Sequence, residues 1–265
     1  MLTLMSRISR RFGSVRKFAL SLVTVDRTPR PNYLAQTLRN FERGGIFKSS
    51  LFHSLSIADS GVGTHWPSPA LIESGISLTH VGVCRTGARR PSSVNAATAL
   101  AAGVATGCEW ILFFEDDVDV CGDFLESVDR WLTAYAKPEY HVFPFGANYP
   151  HVQVAADNLE FVWEYDTHLF YGSQCFAIRA DDARSLADYW STNPEVPGGT
   201  DMAIDIMVAQ WHRLKFPTQP NFLASAPSFI QHIGRASYAT TKEVTHTFAS
   251  WPGPFWVFEP GVVRA

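Results

Sequence analysis

The 265-residue chain reads as an α/β protein with a Rossmann-like, mostly parallel central sheet flanked by helices in a single domain. Three observations predict it. Two near-continuous apolar runs, residues 18–25 and 110–114, end abruptly in charge, at Asp26-Arg27 and Glu115-Asp116-Asp117. Strands covered on both faces have this form. Helical stretches alternate with the strand-like runs, as parallel sheets require. A hydrophobic fraction of 46% against 18% charged residues is that of an ordinary globular chain with a sizeable core.

In chain order, residues 18–25 form the first strand and Pro29 and Pro31 punctuate the turn after it. Asn32 is placed to cap a helix running to about Glu42, which Gly44-Gly45 closes. Residues 51–57 read as a second strand and Asp59-Ser60-Gly61 as a turn; a shorter strand covers 77–83. After the loop 85–91, Ser92 or Ser93 caps an Ala-rich helix to about Thr106, stopped by Gly107. Residues 110–114 are the strongest buried strand. Residues 124–136 form an amphipathic helix and 142–145 another strand. Residues 147–170 alternate aromatic and polar groups and read as strands and loops. A short strand at 176–178 precedes a helix from Asp181 to about Trp190, and a further helix covers 201–214. The tail from Phe216 is Pro-rich and reads as irregular.

A net charge of −3 argues against a polycation built to bind nucleic acid, but the charge is unevenly spread. Residues 1–48 are strongly basic, whereas 109–129 hold eight acids and no base. A basic front suits phosphate-rich partners and an acidic segment suits a divalent ion. The four cysteines (84, 108, 121 and 175) form no CxxC pair, which argues against structural zinc and for a reducing compartment. No apolar run approaches the roughly 20 residues of a membrane span. Residues 1–17 are read as a basic N-terminal segment without a secretory h-region.

The chemistry centres on Glu115-Asp116-Asp117. Ligands of open α/β sheets gather at the carboxyl ends of strands. Three adjacent acids there repel one another, and Mg²⁺ or Mn²⁺ bridging to a diphosphate offsets them. Asp119 and Asp123 are read as surface groups. One rival shares the motif: Asp117-Val118-Asp119-Val120 after an apolar strand also fits a haloacid-dehalogenase-like phosphatase with Asp117 as nucleophile. Such a motif normally follows the first strand of its domain, whereas here more than a hundred residues come first.

The run Arg90-Pro91-Ser92-Ser93-Val94-Asn95, the Ala-rich helix and Trp110 to Val118 together resemble the donor half of a GT-A type glycosyltransferase. The resemblance implies an acidic metal-binding motif with Asp117 as metal ligand and Glu115 and Asp116 facing ribose and donor sugar. It places Thr24, Asp26 and Arg27 at the nucleoside, and Arg90 and Asn95 near the donor. The segment Pro227 to Gly234, with Ser237 behind it, is similar to one near the end of the catalytic domain in the N-acetylglucosaminyltransferase IV family, and Tyr171-Gly172-Ser173-Gln174 resembles that family's acceptor-side region. That likeness implies His232 as a second metal ligand. The chain lacks the family's anchor and stem, which fits a compact bacterial or phage-type relative in the cytoplasm.

For a catalytic base, Gly198-Gly199-Thr200-Asp201 leads into a helix on which Asp201 and Asp205 share one face. An inverting transferase needs one carboxylate to take the proton of the acceptor hydroxyl. Asp201 is the first choice and Asp205 the second. The expected organisation is 1–17 as a basic segment and 18–260 as the transferase domain, with 18–146 the nucleotide-sugar half and 147–260 the acceptor half. The expected donor is a UDP-sugar, UDP-GlcNAc by analogy, used with Mn²⁺ or Mg²⁺. The expected acceptor is a glycan or another hydroxyl compound; a hydroxylated base in phage DNA is kept as a sub-option because of the basic front and the 85–90 arginines. A non-catalytic carbohydrate- or nucleic-acid-binding module on the same fold is the other class of reading.

Overall fold

The computed structural model describes residues 16–24, 31–59, 77–82, 92–146, 161–168, 170, 172–192, 204–219, 221–235, 248 and 251–260, with backbone only for 77–82, 92 and 93. Ten strands and five α-helices are found among them. The strands are β1 (Phe18–Thr24), β2 (Phe52–Asp59), β3 (Ser77–Gly82), β4 (Trp110–Glu115), β5 (Val118–Val120), β6 (Val142–Pro144), β7 (Val162–Asp166), β8 (Cys175–Arg179), β9 (Asn221–Ser225) and β10 (Ile230–His232). The helices are α1 (Leu34–Arg43), α2 (Ser92–Ala105), α3 (Phe124–Tyr135), α4 (Ala180–Thr192) and α5 (Ile204–Lys215).

Six strands form one sheet in the order β3-β2-β1-β4-β8-β6. β1 to β4 are mutually parallel, and β8 runs antiparallel to both β4 and β6. Alternate residues of the central strands feed two cores. Leu20, Leu22, Leu112 and Phe114 face α1 and α3. Ala19, Val23, Ile111 and Phe113 face α2, α4 and α5. Burial on both faces is why β1 and β4 have no polar alternation in sequence. In α1 the apolar residues recur at Leu34, Leu38 and Phe41, and Phe41 meets Phe114 of β4 with ring centroids 4.7 Å apart.

The chain leaves β1 toward β2 and β3 on one side, and β4 returns on the other. The crevice at the carboxyl ends of β1 and β4 is therefore a topological switch point, where such sheets bind ligands.

Several boundaries depart from the sequence reading. Tyr33, not Asn32, stands at the N-cap of α1, without a side-chain cap bond. Asp59 belongs to β2, and Asp181 lies inside α4, not before it. The tail read as irregular contains two strands: β9 pairs with β7, and β10 pairs with β5 in antiparallel register. β5 itself, immediately after the acids, was also not foreseen. Gly44 brings α1 against β5 so closely that a Cβ there would lie 2.4 Å from Val120 Cγ2. Residues 251–260 seal the opposite side of this corner, with Gly122 N donating to Trp256 O at 2.9 Å and Arg130 Nε to Phe258 O at 2.7 Å. Among the described residues no helix is long and apolar enough to cross a membrane.

Candidate functional site

β4 delivers Glu115, Asp116 and Asp117 to the switch point, and each turns to a different partner. Asp116 is buried and accepts a hydrogen bond from Thr24 Oγ1 at the end of β1, at 2.5 Å. The acidic turn is held from α1: Thr37 Oγ1 donates to Asp116 O at 2.6 Å and accepts from Val118 N at 3.2 Å, while Asn40 Nδ2 donates to Val118 O at 3.0 Å. Fixing the turn's backbone fixes where the carboxylates point.

Asp117 meets the far end of the chain. β10 pairs with β5 so that His232 lies opposite Val118, and Ile233 N donates to Asp117 O at 2.9 Å. His232 Nε2 then lies 3.1 Å from Asp117 Oδ2, with both side chains nearly buried. Glycine at 234 is required by this approach, since a Cβ there would sit 2.3 Å from Asp117 Oδ2 and 2.8 Å from His232 Nε2. Arg235 N donates to Tyr33 Oη at 2.9 Å, tying the end of β10 to the start of α1. Asp119 turns the other way, to an ion pair with Arg43 of α1. Asp117 and Asp119, two residues apart, thus engage partners on different elements.

Glu115 faces the α2/α5 side. Its Oε1 accepts a hydrogen bond from Ser173 Oγ at 2.5 Å, and its N donates to Gln174 O at 3.0 Å. Desolvation, then the neighbouring charge of Asp117, pushes its carboxyl up to about 7, while Ser173 and His232 pull the other way. Asp205, in the first turn of α5, adds to the rise, so the two carboxyl groups share one field. Asp205 is 8% exposed; burial raises its own carboxyl above the ordinary range, partly offset by the hydrogen bond from Ile206 N to its Oδ1 at 2.8 Å. Asn95, in the first turn of α2, is buried, and its Oδ1 accepts no hydrogen bond among the described residues.

Of the residues singled out from sequence, Thr24, Asn95, Glu115, Asp116, Asp117, Asp205 and His232 are thus placed, with Thr24 joined to Asp116 and His232 to Asp117 around the end of β4. Asp26, Arg27, Arg90 and Asp201 lie outside the described residues. Thr37, Asn40, Ser173 and Gly234 shape the site without having been assigned a role. Ser173 and Gly234 each stood in a segment marked by the sequence resemblance, whereas Thr37 and Asn40 carried no such signal.

Among the described residues no three His, Cys, Asp or Glu side chains converge as a complete metal cage. The Asp117–His232 pair nevertheless suits Mn²⁺ or Mg²⁺: one carboxylate and one imidazole are close together, at a position that only glycine leaves open. Such ions are commonly held by one or two protein groups, with substrate phosphates and water completing the shell.

No family model matches the sequence, and no curated protein matches it either. Solved structures do. A 4-diphosphocytidyl-2C-methyl-D-erythritol synthase from Anaerococcus prevotii is similar over 87% of this chain and 91% of its own, at a TM-score of 0.50 and 9% identity. What the two share is the fold. It is α/β of the GT-A type, with mostly parallel central strands between helical layers. Glucosyl-3-phosphoglycerate synthase from Mycobacterium tuberculosis, solved with Mn²⁺, uridine diphosphate and glucosyl-3-phosphoglycerate, is similar over 83% of this chain and 73% of its own, at a TM-score of 0.48 and 14% identity. Residues 1–349 of S. aureus TarS align over 81% of this chain and 59% of theirs, at 0.49 and 10%.

Proposed function

We propose that this chain is a metal-dependent glycosyltransferase that moves a sugar from a nucleotide-sugar to an acceptor hydroxyl with inversion. The observation that carries the reading is the meeting of Asp117 and His232, 115 positions apart in sequence, at the carboxyl end of β4 beside a topological switch point. Asp117 and His232 would hold Mn²⁺ or Mg²⁺, which when bound neutralises the diphosphate of the donor and its leaving group. Thr24 and Asn95, with Asp26, Arg27 and Arg90 by the sequence resemblance, would line the nucleotide side. Asp116 supports this group through Thr24 and the turn to Asp117.

Asp205 is the base this reading favours. Its carboxylate takes the proton of the acceptor hydroxyl as that oxygen bonds to the anomeric carbon and the bond to the diphosphate breaks. A carboxylate desolvated at the head of α5 is a stronger base than one in water. Asp201, the first choice of base from the sequence, stands as the alternative to Asp205. The donor proposed is a UDP-sugar, with UDP-GlcNAc first because of the resemblance to the N-acetylglucosaminyltransferase IV family. The acceptor proposed is a hydroxyl of a glycan or small molecule. The place of Asp117 after β4, not after the first strand of the domain, weakens the phosphatase alternative.

The test is a donor-hydrolysis screen over sugar nucleotides with and without Mn²⁺. Hydrolysis of at least one UDP-sugar that depends on Mn²⁺ is expected. No nucleotide release from any donor, together with no thermal shift by any metal–nucleotide pair, would refute the reading. In a transfer assay, Asp205→Asn is expected to lower kcat by roughly 10²–10⁴-fold, with little change in donor binding.

A further inference from the structure

Glu115 and Gln174 lie opposite each other where β4 and β8 begin to separate. Phe114 pairs with Cys175 in antiparallel register, and Glu115 N donates to Gln174 O one step further on. Directly opposed residues of antiparallel strands project to the same face. Two residues back on each strand, Phe113 and Phe176 stack with centroids 5.0 Å apart in the core beneath α2, α4 and α5. Gln174, in the turn just before β8, thus stands opposite Glu115 at the end of this ladder. It is 6% exposed, and its Oε1 is buried and accepts no hydrogen bond among the described residues. A buried amide oxygen left unmet is destabilising, so such a group calls for an explanation.

Its surroundings supply one. The charges of the pair Asp117 and His232 and of Asp205 all reach Glu115. On the proposed reading, on which this inference rests, the first pair marks the diphosphate and Asp205 marks the attacking hydroxyl. What lies between them is the sugar ring in transit. We infer that Gln174 is a specificity-determining residue for the donor: its side-chain carbonyl accepts a hydrogen bond from a hydroxyl or amide N–H of the transferred sugar. A carbonyl oxygen is an acceptor only, so it requires an O–H or N–H from the ligand. Discrimination of this kind acts by leaving the buried acceptor unmet when the wrong sugar binds.

The test separates sugar from nucleotide. Binding of UDP, and of the UDP-sugar that the wild-type enzyme hydrolyses fastest, is measured with Mn²⁺ by calorimetry for the wild type and for Gln174→Leu, which keeps the bulk and removes the amide. Affinity for UDP is expected to be unchanged, while affinity for the UDP-sugar falls by about tenfold. The ligand-free variant is expected to melt at the same temperature as the wild type or higher, because an unmet polar atom has gone. Gln174→Met, also apolar and of similar length, repeats the measurement if leucine packs badly. Equal affinity of wild type and both variants for the UDP-sugar, or an equal loss for UDP and UDP-sugar, would overturn the inference. If the wild type itself binds neither ligand with Mn²⁺, it is the transferase reading that fails.

Discussion

Acid should loosen this protein through His212, a residue outside the site. His212 sits in the last turn of α5 with no exposed surface, and neither ring nitrogen has a hydrogen-bond partner among the described residues. Its ring is enclosed by Trp211, Phe216 and Phe222, with His141 6.0 Å away. Burial, helped by the nearby His141 and Arg213 and opposed by Asp182, lowers its pKa from 6.5 to about 4. The unfolded chain thus binds a proton near pH 6.5 that the folded chain refuses until near pH 4. Stability from this residue is complete above pH 6.5 and is lost as the pH falls toward 4, amounting to up to about 3 kcal/mol in all and roughly 2 kcal/mol by pH 5. Urea unfolding at pH 7.5 and 5.0 measures it. His212→Phe fills the same apolar space without a titrating group, so its stability should fall by roughly 2 kcal/mol less than that of the wild type over this interval. Equal losses in the two proteins would refute the assignment.

Two further outcomes follow from the site's geometry. Gly234→Ala should weaken Mn²⁺ binding by at least about tenfold while circular dichroism stays native, because the added Cβ must part Asp117 from His232; unchanged Mn²⁺ affinity by calorimetry would contradict the close approach. Thr37→Val keeps the shape but takes away the bonds to Asp116 O and from Val118 N, and should lower unfolding free energy by about 1–3 kcal/mol, read by urea titration.

The first half of the fold was legible because its strands are long, buried on both faces and ended by charge. Ile111 to Phe114 has no periodicity to misread, and the acids after it mark the carboxyl edge. The second half was less legible. β5 and β10 have three residues each, too few for any alternation to register, and their existence depends on each other. Partner choice was also hidden. Three adjacent carboxylates look equivalent in sequence, yet Asp116 turns to Thr24, Asp117 to His232 and Glu115 to Ser173, because strand alternation and the grip of Thr37 and Asn40 aim them apart. His232 was found through the resemblance of its surrounding segment, while nothing local reveals that its strand folds back onto β5. Gln174 stood in the segment Tyr171 to Gln174 marked by the resemblance, but its place opposite Glu115 shows only once β8 is known to run antiparallel beside β4.

The central claim is that Asp117 and His232 together form a metal site that serves a nucleotide diphosphate. Mn²⁺ titration followed by electron paramagnetic resonance, with UDP present, tests it most directly. The wild type should bind one Mn²⁺ per chain, Asp117→Asn should bind it at least about a hundredfold more weakly, and His232→Ala about tenfold more weakly. Undiminished Mn²⁺ binding by both folded variants would contradict the account.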